Sequence, residues 1–316
     1  MQYRDFGKTG IKVSEIGYGS WAVGGNEHGI SYGPTDDRES LLSIEKAIDL
    51  GCNFFDTADV YGWGKSEELL GKSLKGRRDR HVIATKVGSD FYQGYGFQTF
   101  TPEYVRFALE KSLARLKTDF VDIYQLHNPP LELIENDTTY QVLRDLKQEG
   151  KIRAWGVSVG SSEEGVKALE TGLPDSLQVP INIFASDSCQ RLFERASARG
   201  CAIIAREPLA NGFLSGKYEI NARFASGDIR QSWPREFINA RVKAARALNF
   251  LTLPGKRTLA QAAIRWVLEH QEVSTVIAGV KTADQAQENF TAGQTRALSA
   301  EELQTIDELR ETSFGL

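Results

Sequence analysis

Short apolar runs alternate with amphipathic segments along nearly the whole chain, the pattern of parallel strands joined by covering helices. The runs predict strands at Ser14–Gly19, Asn53–Asp56, Val82–Lys86, Val121–Leu126, Ala154–Val159, Ser176–Pro180, Ala202–Arg206 and Ser274–Gly279. Helical periodicity follows each run, and eight such units predict an α/β fold closed into a (β/α)8 TIM barrel.

Local signals at the helix starts agree with this reading. Ser66 before Glu67 and Glu68 reads as a cap followed by two acids at a helix N-terminus. Thr101-Pro102 reads as a cap and first helical position, and Ser161-x-x-Glu164, Thr258-x-x-Gln261, Thr282-x-x-Gln285 and Ser299-x-x-Glu302 read as capping boxes. Three stretches fall outside the repeat. Residues 1–13, with Lys8-Thr9-Gly10 between Phe6 and Ile11, predict an N-terminal β-hairpin under the barrel floor. Pro208 to about Gly255 form a long loop after the seventh strand, with Trp233 and a helical R-V-K-A-A-R-A-L stretch, and such insertions commonly serve as lids or binding loops. An extra helix is predicted from Glu301. No linker or low-complexity segment divides the chain, so residues 1–316 are expected to form one domain.

Composition narrows the function classes. The 316 residues carry a formal charge of −4, with 41% hydrophobic and 25% charged residues. That is an ordinary globular balance without the broad basic surface a nucleic-acid backbone requires. Cys52, Cys189 and Cys201 are widely spaced and suggest neither disulfides nor a zinc site. With no secretion-signal layout at the start and no apolar run of about 18 residues, a cytoplasmic protein that does not enter the membrane is expected. The four histidines form no H-x-H or H-E-x-x-H motif, which disfavours metal hydrolysis.

In a parallel barrel the C-terminal ends of all strands meet on one rim. Asp56 in F-D-T-A-D-V-Y-G, Lys86 in V-I-A-T-K and His127 in I-Y-Q-L-H-N fall at or beside the ends of the second, third and fourth predicted strands, and Tyr61 lies on the loop after Asp56. A phenol, with a pKa of about 10, is a poor proton donor near neutrality unless its anion is stabilised, and a nearby ammonium supplies that field. The set therefore points to proton donation during carbonyl reduction. A buried Asp–Lys pair without function carries a desolvation cost that apolar residues avoid.

With G-Y-G-S-W near the start, this constellation resembles the aldo-keto reductase superfamily over essentially the full chain. The resemblance implies that Tyr61 is the general acid, that Lys86 lowers its pKa, that Asp56 orients Lys86 and that His127 binds and polarises the substrate oxygen.

Carbonyl reduction also needs a hydride, which no side chain delivers, so a nicotinamide cofactor is expected. G-Y-G-S-W-A matches a dinucleotide fingerprint in letters only, because the residues after Ala22 cannot open the required helix. The run V-I-A-G-V-K-T after the eighth strand is the better phosphate site: Gly279 permits close backbone approach, and Lys281 and Thr282 open a helix. The resemblance extends this set to Gln285, Glu288 and Asn289 around the adenosine 2'-phosphate and adenine, which favours NADPH, with NADH possible. It assigns Ser158 and Gln178 to the nicotinamide carboxamide and makes Gly19, Ser20 and Asp56 further cofactor contacts. In A-R-E-P-L-A-N-G-F-L-S-G-K-Y it implies pyrophosphate-loop contacts from Pro208, Leu209, Gly212, Leu214 and Lys217.

Two departures stand out. Val159 replaces an amide that usually helps hold the carboxamide, and Arg206 replaces a ring-stacking aromatic; its planar guanidinium can also stack.

Trp21, Trp63, Phe91, Tyr92, Tyr95, Phe97 and Phe100 crowd the expected rim and suit a cleft for a small carbonyl compound. Trp21 matches the family's pocket-lining aromatic, and Trp63, Tyr61 and His127 complete the substrate candidates. An alternative is a non-catalytic nicotinamide-sensing partner subunit, since the family also includes channel-associated proteins. Substrate and oligomeric state are not fixed by the sequence.

Overall fold

The computed structural model describes residues 1–28, 30–92, 97–185, 189–312 and 314. Eight parallel strands close into a barrel. They are β1 (Ile16–Gly19), β2 (Phe54–Asp56), β3 (Val82–Val87), β4 (Val121–His127), β5 (Ile152–Ser158), β6 (Ser176–Pro180), β7 (Ala202–Arg206) and β8 (Val273–Gly279). Pairing of β8 with β1 shuts the cylinder. Nearly every strand position is buried because side chains pointing inward fill the barrel and those pointing outward meet the helices. The covering helices are α1 (Asp37–Asp49), α2 (Lys65–Ser73), α3 (Pro102–Leu116), α4 (Gln141–Gln148), α5 (Ser162–Thr171), α6 (Cys189–Arg199), α7 (Leu259–Leu268) and α8 (Ala283–Phe290).

The hairpin forms as expected, with Tyr3–Asp5 antiparallel to Lys12–Ser14. It places Phe6, Ile11 and Val13 against Phe54, Val82, Ile123, Ala154, Ile204 and Ile277, so the floor is a dry apolar plug. Arg4 fastens it by donating to the carbonyls of Leu268, His270 and Val273 at 2.8, 3.1 and 2.7 Å. Ser14 therefore belongs to the hairpin, and the first barrel strand starts at Ile16, two residues later than the apolar run suggests.

The caps at Thr101, Thr258 and Ser299 form as read, the last two as full reciprocal boxes. At Ser161 and Thr282 only the hydroxyl half forms. The acid or amide three residues on reaches instead to the backbone N–H before the cap, at Gly160 or Lys281. Ser66 is not a cap. Gly64, at φ 95°, precedes the first residue of α2, and the Ser66 hydroxyl is drawn inward to Ser20.

The insertion after β7 contains a helix over Arg235–Ala247 and meets the loop after β1, where Ile229 N–H donates to the Ser31 carbonyl at 3.0 Å. The final helix spans Ala300–Glu311 and is tied down by a buried ion pair between Arg257 and Glu302. No helix among the described residues is long and apolar enough to cross a membrane.

Candidate active site

Strand register sets the heights at the mouth. Gly19 lies beside Asp56 and Lys86 beside Gln125, while His127 lies beside Ser158. Lys86 rises from β3 inside the barrel and is fully buried. Its Nζ donates to Asp56 Oδ2 at 2.7 Å, to the Thr57 carbonyl at 2.8 Å and to the Tyr61 hydroxyl at 3.2 Å. Three donors thus have three acceptors, which fixes the ammonium beneath the phenol. His127 meets the Tyr61 ring edge-on, with centroids 5.7 Å apart. Residues distant in the chain therefore converge as the sequence suggests.

The loop carrying Tyr61 is held by close backbone packing. Gly62 has φ 59°, and a Cβ there would lie 2.1 Å from the Gly24 carbonyl oxygen, so only glycine lets the two loops touch. Behind Asp56, a chain of hydroxyls from Thr57 to Ser66 to Ser20 ends on the Asp56 carbonyl, with bonds of 2.9, 2.6 and 2.7 Å. Ser20 is fully buried in this chain, so its hydroxyl braces the wall rather than facing the mouth.

Burial pushes the Tyr61 phenol above its ordinary pKa, and the charge of Lys86 opposes that rise. The expected lowering is therefore present as an influence, but burial outweighs it. Burial also acts against the charged form of Lys86, yet Asp56 and Tyr61 reverse the effect and its pKa is raised. Lys86 is a firm cation. His127 is driven well below its usual range by burial, then by Lys86 and Arg206, and is neutral near pH 7. This gives a neutral phenol, a fixed ammonium and a neutral imidazole around one point. Asp59 is fully buried with no hydrogen bond to either carboxyl oxygen, and burial followed by repulsion from Glu67 pushes its pKa well up.

The remaining expected contacts divide. Gln178 donates to Asp56 Oδ1 at 2.7 Å. Its amide N–H2 is thus engaged by the carboxylate, and it joins Gln125, 3.5 Å from the same oxygen, in orienting Asp56. Ser158 reaches only Asn128, at 3.4 Å. Arg206 pairs with Glu207 and donates to the Val159 carbonyl at 3.1 Å. Past it the backbone enters the left-handed region at Glu207, Ala210 and Asn211 as well as Gly212, conformational strain concentrated on the loop that includes Pro208 and Leu209. Leu214 is wholly in the core, and Lys217 is exposed, 5.1 Å above the Tyr218 ring.

At the end of β8, Gly279 has open space where a Cβ would sit. Thr282 caps α8, Gln285 accepts from Lys281 N–H at 2.8 Å, and Asn289 donates to the Gly279 carbonyl at 3.3 Å. Glu288 is half-buried on the same helix. Lys281 Nζ donates to the Tyr32 carbonyl at 2.5 Å. Its pKa is pushed down by burial and by the neighbouring cations Arg230 and Lys217, which Asp228 only partly offsets. Lysines and an arginine gathered beside a helix N-terminus suit a phosphate, so these residues fit a phosphate-bearing nucleotide cofactor.

Among the aromatic candidates, Trp21 lies 6.5 Å from the Tyr61 ring and donates to the Ile30 carbonyl at 3.0 Å. Trp63 stacks between His28 and Phe91, at 5.0 and 5.9 Å, and Phe91 stacks on Tyr92. Phe100 is buried, Phe97 is exposed, and Tyr95 lies outside the described residues. Sequence reasoning missed Tyr32, whose hydroxyl donates to Asn211 Oδ1 at 2.7 Å and whose ring lies under Arg230 and against Trp21. Two of its partners, Asn211 and Arg230, come from the insertion, so no local motif marks it.

The sequence model of the aldo/keto reductase family matches residues 15–311. This chain belongs to that family. It is 33% identical to the aldo-keto reductase YhdN of Bacillus subtilis, over 90% of this chain and 86% of that protein. A probable voltage-gated potassium channel subunit beta of Arabidopsis thaliana is 30% identical, over 92% and 91% of the two chains. Among solved structures, the holo form of the aldo-keto reductase AKR11C1 from Bacillus halodurans superposes with a TM-score of 0.81 at 30% identity, covering 98% of this chain and 96% of that one. The protein is thus an oxidoreductase-family (β/α)8 barrel.

Proposed function

We propose that this chain is an NADPH-dependent reductase of aldehydes and ketones in which Tyr61 is the general acid. The observation that carries this reading is the Tyr61 hydroxyl 3.2 Å from a buried Lys86 ammonium that is itself 2.7 Å from Asp56. A bound nicotinamide supplies the hydride for the carbonyl carbon. Lys281, with Thr282 and the helix start, would hold the 2'-phosphate, Gly279, Gln285, Glu288 and Asn289 would flank the adenosine, and the loop from Pro208 to Lys217 would line the pyrophosphate.

The chemistry of the chain's own groups follows from their charge states. Negative charge that develops on the substrate oxygen meets the Tyr61 proton, and Lys86 stabilises the phenolate left behind. Neutral His127 can donate one hydrogen bond to the same oxygen without competing for the proton. Gln178 and Gln125 keep Asp56 aimed at Lys86. Trp21 and Trp63 flank the opening as apolar walls. The three cysteines are buried, and Cys52 and Cys201 are free thiols, which suits a reducing compartment, so we place the protein in the cytoplasm.

Tyr61→Phe tests the role of the acid. Turnover of a generic aldehyde is expected to fall at least a thousandfold, on the order of general-acid contributions, while NADPH binding stays nearly unchanged. Wild-type activity in that variant removes Tyr61 from the mechanism. Similarity to the plant channel subunit supports a second reading, a nicotinamide-sensing partner. Absence of steady-state turnover across aldehydes and ketones, with NADPH still bound, would favour it.

A further inference from the structure

A cavity of about 90 Å³ opens between the ends of β6 and β7 and the helix of the insertion, and the chemistry above makes no use of it. Strand register puts Pro180 of its wall beside Arg206, so the cavity lies on the rim where the C-terminal strand ends meet. Contacts tie this wall to the proton donor: Asn211 accepts the Tyr32 hydroxyl at 2.7 Å, the Tyr32 ring packs on Trp21, and Trp21 lies 6.5 Å from the Tyr61 ring. Two donors on the wall are unused. Arg241 is half-buried, and its guanidinium lies over Phe184 and Phe237 at 5.1 and 5.0 Å, rings that steady it but offer no hydrogen-bond acceptor. No carboxylate among the described residues is paired with it; burial pushes its pKa down, and Glu207 is the charge that opposes the fall. Glu207 is itself engaged, by Arg206 on Oε1 and by Asn211 on Oε2 at 3.2 Å. Asn182 is buried, and because its Oδ1 accepts from Phe184 N–H at 3.0 Å, its Nδ2 group is left to donate. Trp233, Phe213 and Phe237 make the rest of the wall largely apolar.

We propose that this cavity is the subsite for a carboxylate at the far end of the carbonyl substrate, held by Arg241 and Asn182. The assignment rests on the reductase reading above and narrows its substrates to aldehydes or ketones that carry an anionic tail. A half-buried guanidinium without a counter-charge is satisfied by an anion, and its planar fork matches the two oxygens of a carboxylate. Volume decides the size of the group. About 90 Å³ is far below the roughly 300–1,000 Å³ of a pocket for a whole drug-sized ligand, so one small group enters and the rest of the substrate lies outside. Glu207 on the same wall favours a singly charged carboxylate over a doubly charged phosphate.

The test compares straight-chain aldehydes of increasing length that end in a carboxylate with their methyl esters, using the full-length protein and NADPH. At the length that spans the two sites, kcat/KM for the acid is expected to exceed that for its ester about tenfold, the scale of one charge-assisted hydrogen bond. Arg241→Met should bring this ratio to within about twofold of unity, and Arg241→Lys, which keeps the charge, should retain part of it. Absence of an acid preference at every length in the wild type, or a preference that survives in Arg241→Met, overturns the assignment. So does a fall in NADPH affinity in that variant, which would give the cation to the cofactor phosphates. If the Arg241→Met protein does not fold, Arg241→Gln is measured with the same pairs. Equilibrium titration of the NADPH-loaded protein with alkanoates and their methyl esters reads the same ratio without turnover. Protein that binds alkanoates through Arg241 yet reduces none of the aldehydes overturns the reductase reading alone, and an active reductase without the ratio overturns the subsite alone.

Discussion

The charged groups on the two halves of the barrel mouth are paired to different extents. On the β2–β4 side Lys86, Asp56 and Tyr61 satisfy one another, and Gln178 and Gln125 complete Asp56, although the Gln125 Oε1 atom and the Asp59 oxygens have no partner. On the β5–β8 side Arg206 keeps an unpaired Nε–H, and Lys281 stands among cations that Asp228 only partly offsets. A group that must transfer a proton needs its geometry fixed before substrate arrives. A binding surface instead needs donors that a ligand can complete. The contrast separates a half suited to chemistry from a half suited to holding a ligand.

Lys86→Met breaks the finished half, and its effect should be the largest. Asp56 would be left buried without its counter-charge, so stability should fall by about 3–5 kcal/mol in denaturant unfolding and turnover should be lost. Retained stability would show that the pair is not the keystone of that side. Lys281→Ala probes the other half. NADPH affinity should fall roughly tenfold, NADH affinity should change little, and the fold should persist, because the proposed charge-assisted contact to the 2'-phosphate is removed together with the bond to the Tyr32 carbonyl. Equal effects on the two cofactors would detach Lys281 from the 2'-phosphate.

The smallest effect concerns pH. The pKa of His127 is pushed down in the folded state, so the unfolded chain takes up the proton first. Its stabilising contribution is present above the unfolded value of about 6.5 and lost as pH falls below it. His81 and His270, also pushed down by burial, act in the same direction. Unfolding midpoints measured between about pH 7.5 and about pH 5.5 should fall in the wild type and fall less in His127→Gln. Parallel curves would mean that His127 accepts a proton as readily inside the protein as outside it.

The barrel was legible because its strands are short, nearly continuous apolar runs, and their C-terminal ends carry polar groups that a parallel arrangement must bring together. Asp56, Lys86 and His127 needed no more than that. What escaped was set by partners distant in the chain. Ser66 looks like a cap until Gly64 takes up the turn and Ser20 attracts its hydroxyl. Gln178 gives no sign in sequence that Asp56, on another strand, also engages its amide. Tyr32 and Arg230 carry no motif, and their meeting depends on where an insertion of irregular chain lands. Even the Tyr61–Lys86 pairing has a sign that only burial decides, since the field of the ammonium is legible in sequence and the dryness around the phenol is not.

The fastening of Arg4 to the backbone at Leu268, His270 and Val273 bears on how such a chain is made. Arg4 leaves the ribosome long before Leu268, His270 and Val273 and must wait for them before its anchor exists. Until β8 inserts between β7 and β1, the nascent sheet has two unpaired edges and Phe6 has no complete socket. Closure is therefore a late, long-range event, and the half-made protein is the species most exposed to aggregation and to capture by chaperones.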